Sequence, residues 1–246
     1  MLSLPVMRWL SGLAVLLVVG HVCTFVISDA TGIDRSVGML RQLDLNGEAN
    51  LAAWFYSFLL LSCSVLTLGL TVAARLRRSS LAGRWAVLAA VLLVMAVDET
   101  AQLHDMATGP LRNGLDIDFG VFYFAWLLPA VGFLAVCAVY FAPLVRSLGP
   151  AVQARFVGAV LVYLAGAVGV EMVSGFVASG GRKSAQYLAV LTVEEALELA
   201  GVLLVLGTLL ALLRRLQPSV TVSLAGHGVG SQVVLDSPLP SAPRGQ

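Results

Sequence analysis

Trp85-Ala86-Val87-Leu88-Ala89-Ala90-Val91-Leu92-Leu93-Val94-Met95-Ala96-Val97-Asp98-Glu99-Thr100-Ala101-Gln102-Leu103-His104-Asp105 decides the fold, because an unbroken apolar run leads into two adjacent carboxylates, a histidine and a third carboxylate. A run of this length is entering a membrane. An ionisable group at that depth is expensive, roughly 2.5 to 3.5 kcal/mol for a central Asp on insertion scales, and so marks a functional site.

Working outward, the chain has 246 residues, of which 59 % are hydrophobic and only 12 % charged. That is too apolar for a soluble domain of ordinary composition. Six segments approach the ~20 residues that a spanning helix needs: residues 9–27, 51–74, 85–103, 121–141, 156–178 and 188–213. A closed barrel would show ~10-residue alternating segments instead. The expected fold is therefore all-α, a polytopic six-helix transmembrane bundle over residues 1–216. The tail, 217–246, is rich in Ser, Pro and Gly without apolar period, and reads as disordered.

Basic residues set the orientation, since inner loops are enriched in Lys and Arg. With both termini cytoplasmic, the inner segments hold Arg8, Arg75, Arg77, Arg78, Arg84, Arg146, Arg155, Arg214 and Arg215, and the outer ones only Arg35, Arg41, Arg112, Arg182 and Lys183. Asp29, Asp34, Asp44, Glu48, Asp116 and Asp118 all fall outside on this topology. The expected location is the bacterial inner membrane, with membrane lipids as surroundings. Arg8, an apolar stretch and Ser28-Asp29-Ala30 resemble a signal peptide, but the stretch is ~19 residues where such segments have 7 to 15. A net charge of +1, with its arginines at membrane edges, gives no reason to expect nucleic acid. Cys23, Cys63 and Cys137 are odd in number and lie within spans, so they read as buried small residues rather than a disulfide framework.

The acids concentrate in three spans. On a helix turning ~100° per residue, Asp98, Gln102 and Asp105 share one stripe, Glu99 lies beside it, and His104 points away. Span five carries Glu171 between Ala167 and Gly175, small residues at the spacing that lets another helix approach. Span six presents Glu194, Glu195 and Glu198 within one ~100° arc, with Gly201 continuing it. His21, Asp98, Glu171 and Glu194 each lie about seven residues, ~10 Å at 1.5 Å per residue, from the outer end of their span. His21, Asn50, Ser57, Gln102, His104 and Asp105 are candidate supporting polar groups, with Asn50 also a helix N-cap. Trp54 and Tyr56 suit the interfacial belt, with a polar atom of Tyr56 aimed at the site as the alternative, and span four, with Trp126 and Pro129, reads as scaffold.

Asp98, Glu99, Glu171, Glu194, Glu195 and Glu198 cannot all ionise together when buried, and no Lys or Arg lies within any span. Three resolutions are open: protonated, hydrogen-bonded acids; contact with a water-filled outer vestibule; or one or two divalent metal ions held by these six as ligands. Oxygen-rich ligation suits Mg, Ca, Mn, Fe or Zn. The Glu-x-x-His repeat of ferritin-like di-iron bundles is absent.

The segments Gly47-Glu48-Ala49-Asn50-Leu51 with Trp54 and Ser57, Asp98-Glu99 with His104-Asp105, and Glu194-Glu195 with Glu198 resemble signatures of a group of uncharacterised bacterial multi-pass membrane proteins, a likeness that brings no assigned activity. The chain is also faintly similar to the alkaline ceramidase and progestin-receptor superfamily of membrane hydrolases, in which a Glu-x-x-Asn segment opens one helix and an Asp-Glu pair lies in a later one. That likeness implies hydrolysis of a lipid amide or ester by zinc-activated water, with Asp98 among the site residues. The superfamily's Ser-x-x-x-His and late His-x-x-x-His are missing here. The expectation is an inner-membrane protein with a carboxylate-rich site, open to a small lipid or polar ligand from the periplasm. Whether it is an enzyme stays open. A cation- or proton-coupled transporter is the third reading, although the inner halves of the spans, such as residues 86–96 and 201–213, offer no ionisable side chain.

Overall fold

The computed structural model describes residues 3–47, 49–117, 120–179 and 185–215. Glu48, Asp118, Arg182, Lys183 and the 217–246 tail, all named above, lie outside the described residues. Within them the chain is helical without strands: α1 (Ser3–Thr31), α2 (Gly38–Leu43), α3 (Leu51–Leu76), α4 (Ala82–Ala101), α5 (Leu103–Leu115), α6 (Leu127–Arg146), α7 (Pro150–Leu164), a π-helical turn (Ala165–Val170), α8 (Glu171–Ser179) and α9 (Ala185–Arg215). Five helical stretches are long and apolar enough to cross a membrane, six if the bent pair α4 and α5 forms one span. Their outward faces leave large aliphatic side chains exposed, among them Val65, Val136 and Val139. In water that would be costly, whereas against lipid tails it is the ordinary state of a spanning helix.

Helix α9 organises the bundle, packing against α1, α3, α7, the π turn and α8. Its inner half buries Val202, Leu206 and Leu209 among Leu59, Leu60 and Phe156. Gly201 makes the α7 contact possible: a Cβ there would stand 2.5 Å from the Tyr163 backbone nitrogen. Helices α3 and α4 form the most extensive pair. Ser57 Oγ donates to Ala96 O at 2.6 Å and Ser64 Oγ to Ala89 O at 2.7 Å, so donors one heptad apart on α3 meet carbonyls one heptad apart on antiparallel α4. Interhelical bonds of this kind are worth about 0.6 kcal/mol each in membranes, with a ceiling near 1.7. Ser57→Ala and Ser64→Ala are each expected to lower unfolding free energy in detergent by about that amount, read by denaturant titration.

Local chemistry explains the breaks. Asn50 caps α3, its Oδ1 accepting the Ala53 N–H at 2.8 Å. The same side chain donates to Arg41 O and Asp44 O, which fastens the α2 turn to the start of α3. Gly47 is confined by this knot, since a Cβ there would meet Asn50 Nδ2 at 2.7 Å. Pro150 opens α7 at a position where its missing N–H costs nothing. Helix α4 stops at Gln102, which adopts φ 53° and ψ 44°, and α5 leaves at a 75° bend. The residues after Gln102 form α5 where the sequence suggests loop; Pro110 is accommodated inside it at the loss of one backbone bond.

Several expectations change with the structure. The fourth long helix begins at Leu127 rather than near 121. Of the three free cysteines only Cys63 is buried, whereas Cys23 is exposed. The stripe shared by Asp98, Gln102 and Asp105 does not exist, because a period of 100° per residue holds only while the helix continues, and it ends at Gln102.

Candidate functional site

A cavity of about 470 Å³ lies between the ends of these helices, within the size range of small-molecule sites. All six carboxylates expected as a group line it. Asp98 and Glu99 come from α4, Glu171 from α8, and Glu194, Glu195 and Glu198 from α9. Gln102, His104 and Asp105 line it too. The π-helical turn just before Glu171 brings Gly166 onto α9, where a Cβ would meet Glu194 O at 2.8 Å and Glu198 Cγ at 2.8 Å. Such turns inside α-helices re-aim side chains and are frequent at functional sites. Gly166 is thus a residue of close approach to α9, and Gly175 packs on Phe124 and Tyr123.

Three of the carboxylates are held by named donors. Tyr56 Oη donates to Glu198 Oε2 at 2.8 Å, and Trp126 Nε1 donates to Glu171 Oε1 at 2.8 Å. Asp98 takes two contacts across the α4–α5 bend: the His104 backbone N–H donates to Oδ1 at 2.9 Å, and His104 Nδ1 lies 2.7 Å from Oδ2. His104 therefore turns back onto Asp98 rather than away from it. The imidazole also packs beside the Trp126 ring at 4.8 Å and keeps Nε2 3.8 Å from Asp105 Oδ1. Glu194 differs from these. It is 7 % exposed, the Ser174 hydroxyl is within hydrogen-bonding reach of its carboxylate, and its enclosed Oε2 has no hydrogen-bond partner among the described residues. Thr108 on α5, 9 % exposed, has an Oγ1 in the same condition.

Sequence reading missed part of this wall. Trp126 serves as a carboxylate donor rather than as scaffold, and Tyr56 takes the site-facing alternative over the interfacial one. Tyr163 lines the cavity from α7 but stands in a plain apolar run with no signal to single it out. Thr108 and Arg112 also line it, from the stretch between the expected spans 85–103 and 121–141. Arg112 supplies a cation that the span-by-span search lacks. Its guanidinium lies 4.0 Å from the Tyr123 ring centroid, and its Nε donates to Ile117 O.

His21, Asn50 and Ser57 have other work. None is among the cavity-lining residues. Asn50 and Ser57 make the cap and interhelical bonds already described, and His21 is fully buried against the α2–α3 turn. His21 Nδ1 stands 2.9 Å from Leu45 N and 3.2 Å from Asp44 Oδ1. Burial works to raise the Asp44 carboxyl, but His21, Arg35 at 3.6 Å and the Asn46 N–H outweigh it and hold the group below its usual value. A lowered folded pKa means stability that is present above the unfolded value, near 4, and lost as pH falls through the folded one. Asp44→Asn is accordingly expected to flatten the acid limb of thermal stability, measured from pH 6 down to about 3.

Among the described residues no three His, Cys, Asp or Glu side chains are grouped to hold a metal ion. The acids ring a space instead of converging on a point. No curated protein and no solved structure matches the chain. One family model does, described as a domain of unknown function (DUF8692); it covers residues 9–212, from α1 into α9, and the chain belongs to that family.

Proposed function

We propose that this chain is a six-span protein of the bacterial inner membrane, both termini cytoplasmic, that binds a positively charged ligand in a cavity open to the periplasm. One observation carries the reading. Among the described residues, seven carboxylates, Asp98, Glu99, Asp105, Glu171, Glu194, Glu195 and Glu198, share the cavity with a single arginine and a single histidine, and the enclosed Glu194 Oε2 has no hydrogen-bond partner. Excess negative groups in a low-dielectric cleft focus a field that draws cations. A buried carboxylate oxygen without a partner is the group a ligand donor would satisfy. The basic residues at the opposite ends of the helices support the orientation. Transport is less well supported, since below Leu60 and Met95 no residue lines the cavity toward the inner ends of α3 and α4.

The test is thermal stabilisation of the purified full chain by magnesium, manganese, zinc and small organic ammonium ions. At least one is expected to raise the melting temperature in the wild type, with Glu194→Gln requiring at least about tenfold more of it. No response to any cation would contradict the reading. A second reading, hydrolysis of a lipid amide or ester, is favoured by the Asp98–His104 pair, which orients an imidazole as a general base is oriented. It requires turnover of such a lipid that His104→Ala abolishes.

A further inference from the structure

We infer that the ligand is a primary ammonium carrying a second hydrogen-bonding group, an amino alcohol or a diamine, held between Glu194 on α9 and Thr108 on α5. The inference rests on the cation-binding reading and narrows its ligand. The cavity's size suits a small organic molecule, whereas a bare ion needs about the space of one water. Its acids are spread over α4, α8 and α9 without forming a metal-ligand group among the described residues. Among the described residues, the two enclosed side-chain atoms on its wall that lack partners differ in chemistry. Glu194 Oε2 only accepts when ionised, while Thr108 Oγ1 both donates and accepts. An ammonium N–H answers the first, and a hydroxyl or amine answers the second. The aromatic rings of Tyr56, Tyr163 and Trp126 on the same wall suit an organic cation's carbon skeleton better than a hydrated metal ion.

The ammonium has two sources, a free amine or an ethanolamine lipid headgroup, and the experiment separates them. Calorimetric titration of the full chain in detergent uses 2-aminoethanol, 1,4-diaminobutane, ethylammonium, tetramethylammonium and magnesium and zinc chlorides. The first two are expected to bind most tightly, and tetramethylammonium, charged but without N–H donors, at least about tenfold more weakly. Glu194→Gln is expected to weaken every primary amine at least about tenfold. Thr108→Val is expected to weaken 2-aminoethanol several-fold and leave ethylammonium unchanged, with Thr108→Ser, which keeps the hydroxyl, near wild type. In bilayer discs, competition by phosphatidylethanolamine against free 2-aminoethanol assigns the site to the headgroup; equal affinity in phosphatidylglycerol and phosphatidylethanolamine discs assigns it to the free amine. Metal binding without amine binding, or amine binding indifferent to both Glu194→Gln and Thr108→Val, overturns the inference and leaves the cation reading standing. Binding of nothing overturns both.

Discussion

Gly201→Leu is expected to be the most damaging single substitution in the bundle. A Cβ at this position already meets the Tyr163 nitrogen at 2.5 Å and its Cα at 2.6 Å, and these are backbone atoms that no rotamer change can move. Helix α9 must back away from α7, opening the seam that buries Phe156 and Ala159. Overpacking usually costs 1–3 kcal/mol, and in lipid close approach is itself a main source of helix association. A loss of about 3 kcal/mol or more is therefore expected for leucine, and about 2 for Gly201→Ala. The same movement carries Tyr163 and α9's Glu198 out of register with Tyr56, so ligand affinity should fall with stability. Denaturant titration of the two variants checks the order; a fully stable Gly201→Leu protein would mean that α7 and α9 are not in this contact.

Asp98→Ala is expected to release the α4–α5 bend. One carboxylate accepts both the backbone and the ring of His104, and hydrogen bonds to charged groups are worth about 1.5–3 kcal/mol each. Both side chains keep roughly a third of their surface exposed, so a combined loss of about 2–3 kcal/mol is expected rather than the full sum. The bond also holds Gln102 in a left-handed conformation that costs a non-glycine residue about 1–2 kcal/mol. Gln102→Gly in the Asp98→Ala background should therefore recover about 1 kcal/mol. If Asp98→Ala leaves both stability and the proteolytic resistance of α5 unchanged, the pair does not hold the bend.

The spans and the acids of the cavity were legible in the sequence for a physical reason. Apolar length and the cost of ionisable groups in hydrocarbon are local properties of the chain. What failed was everything that depends on a helix ceasing to be regular. The left-handed Gln102 is a non-glycine residue with no sequence mark, and it reverses the direction of His104. The π-helical turn at Ala165–Val170 brings Gly166 onto α9, which a regular helical period does not show. Tyr56 and Trp126 carry amphipathic rings that read equally well as interface anchors or core, and only the position of a carboxylate 142 and 45 residues away in the chain separates those roles. Thr108 was hidden because it falls between the expected spans 85–103 and 121–141, where no apolar run marks a helix.

Access to the cavity is the most direct test of its assignment. In a chain with Cys23, Cys63 and Cys137 replaced by alanine, Gln102→Cys places one thiol on the cavity wall. A charged, membrane-impermeant thiol reagent is then applied to right-side-out and to inverted vesicles, with and without a saturating small ammonium ligand. The expected result is labelling from the periplasmic side alone, slowed by the ligand; labelling from the cytoplasmic side, or a rate that no cation changes, would contradict a one-sided cation-binding cavity.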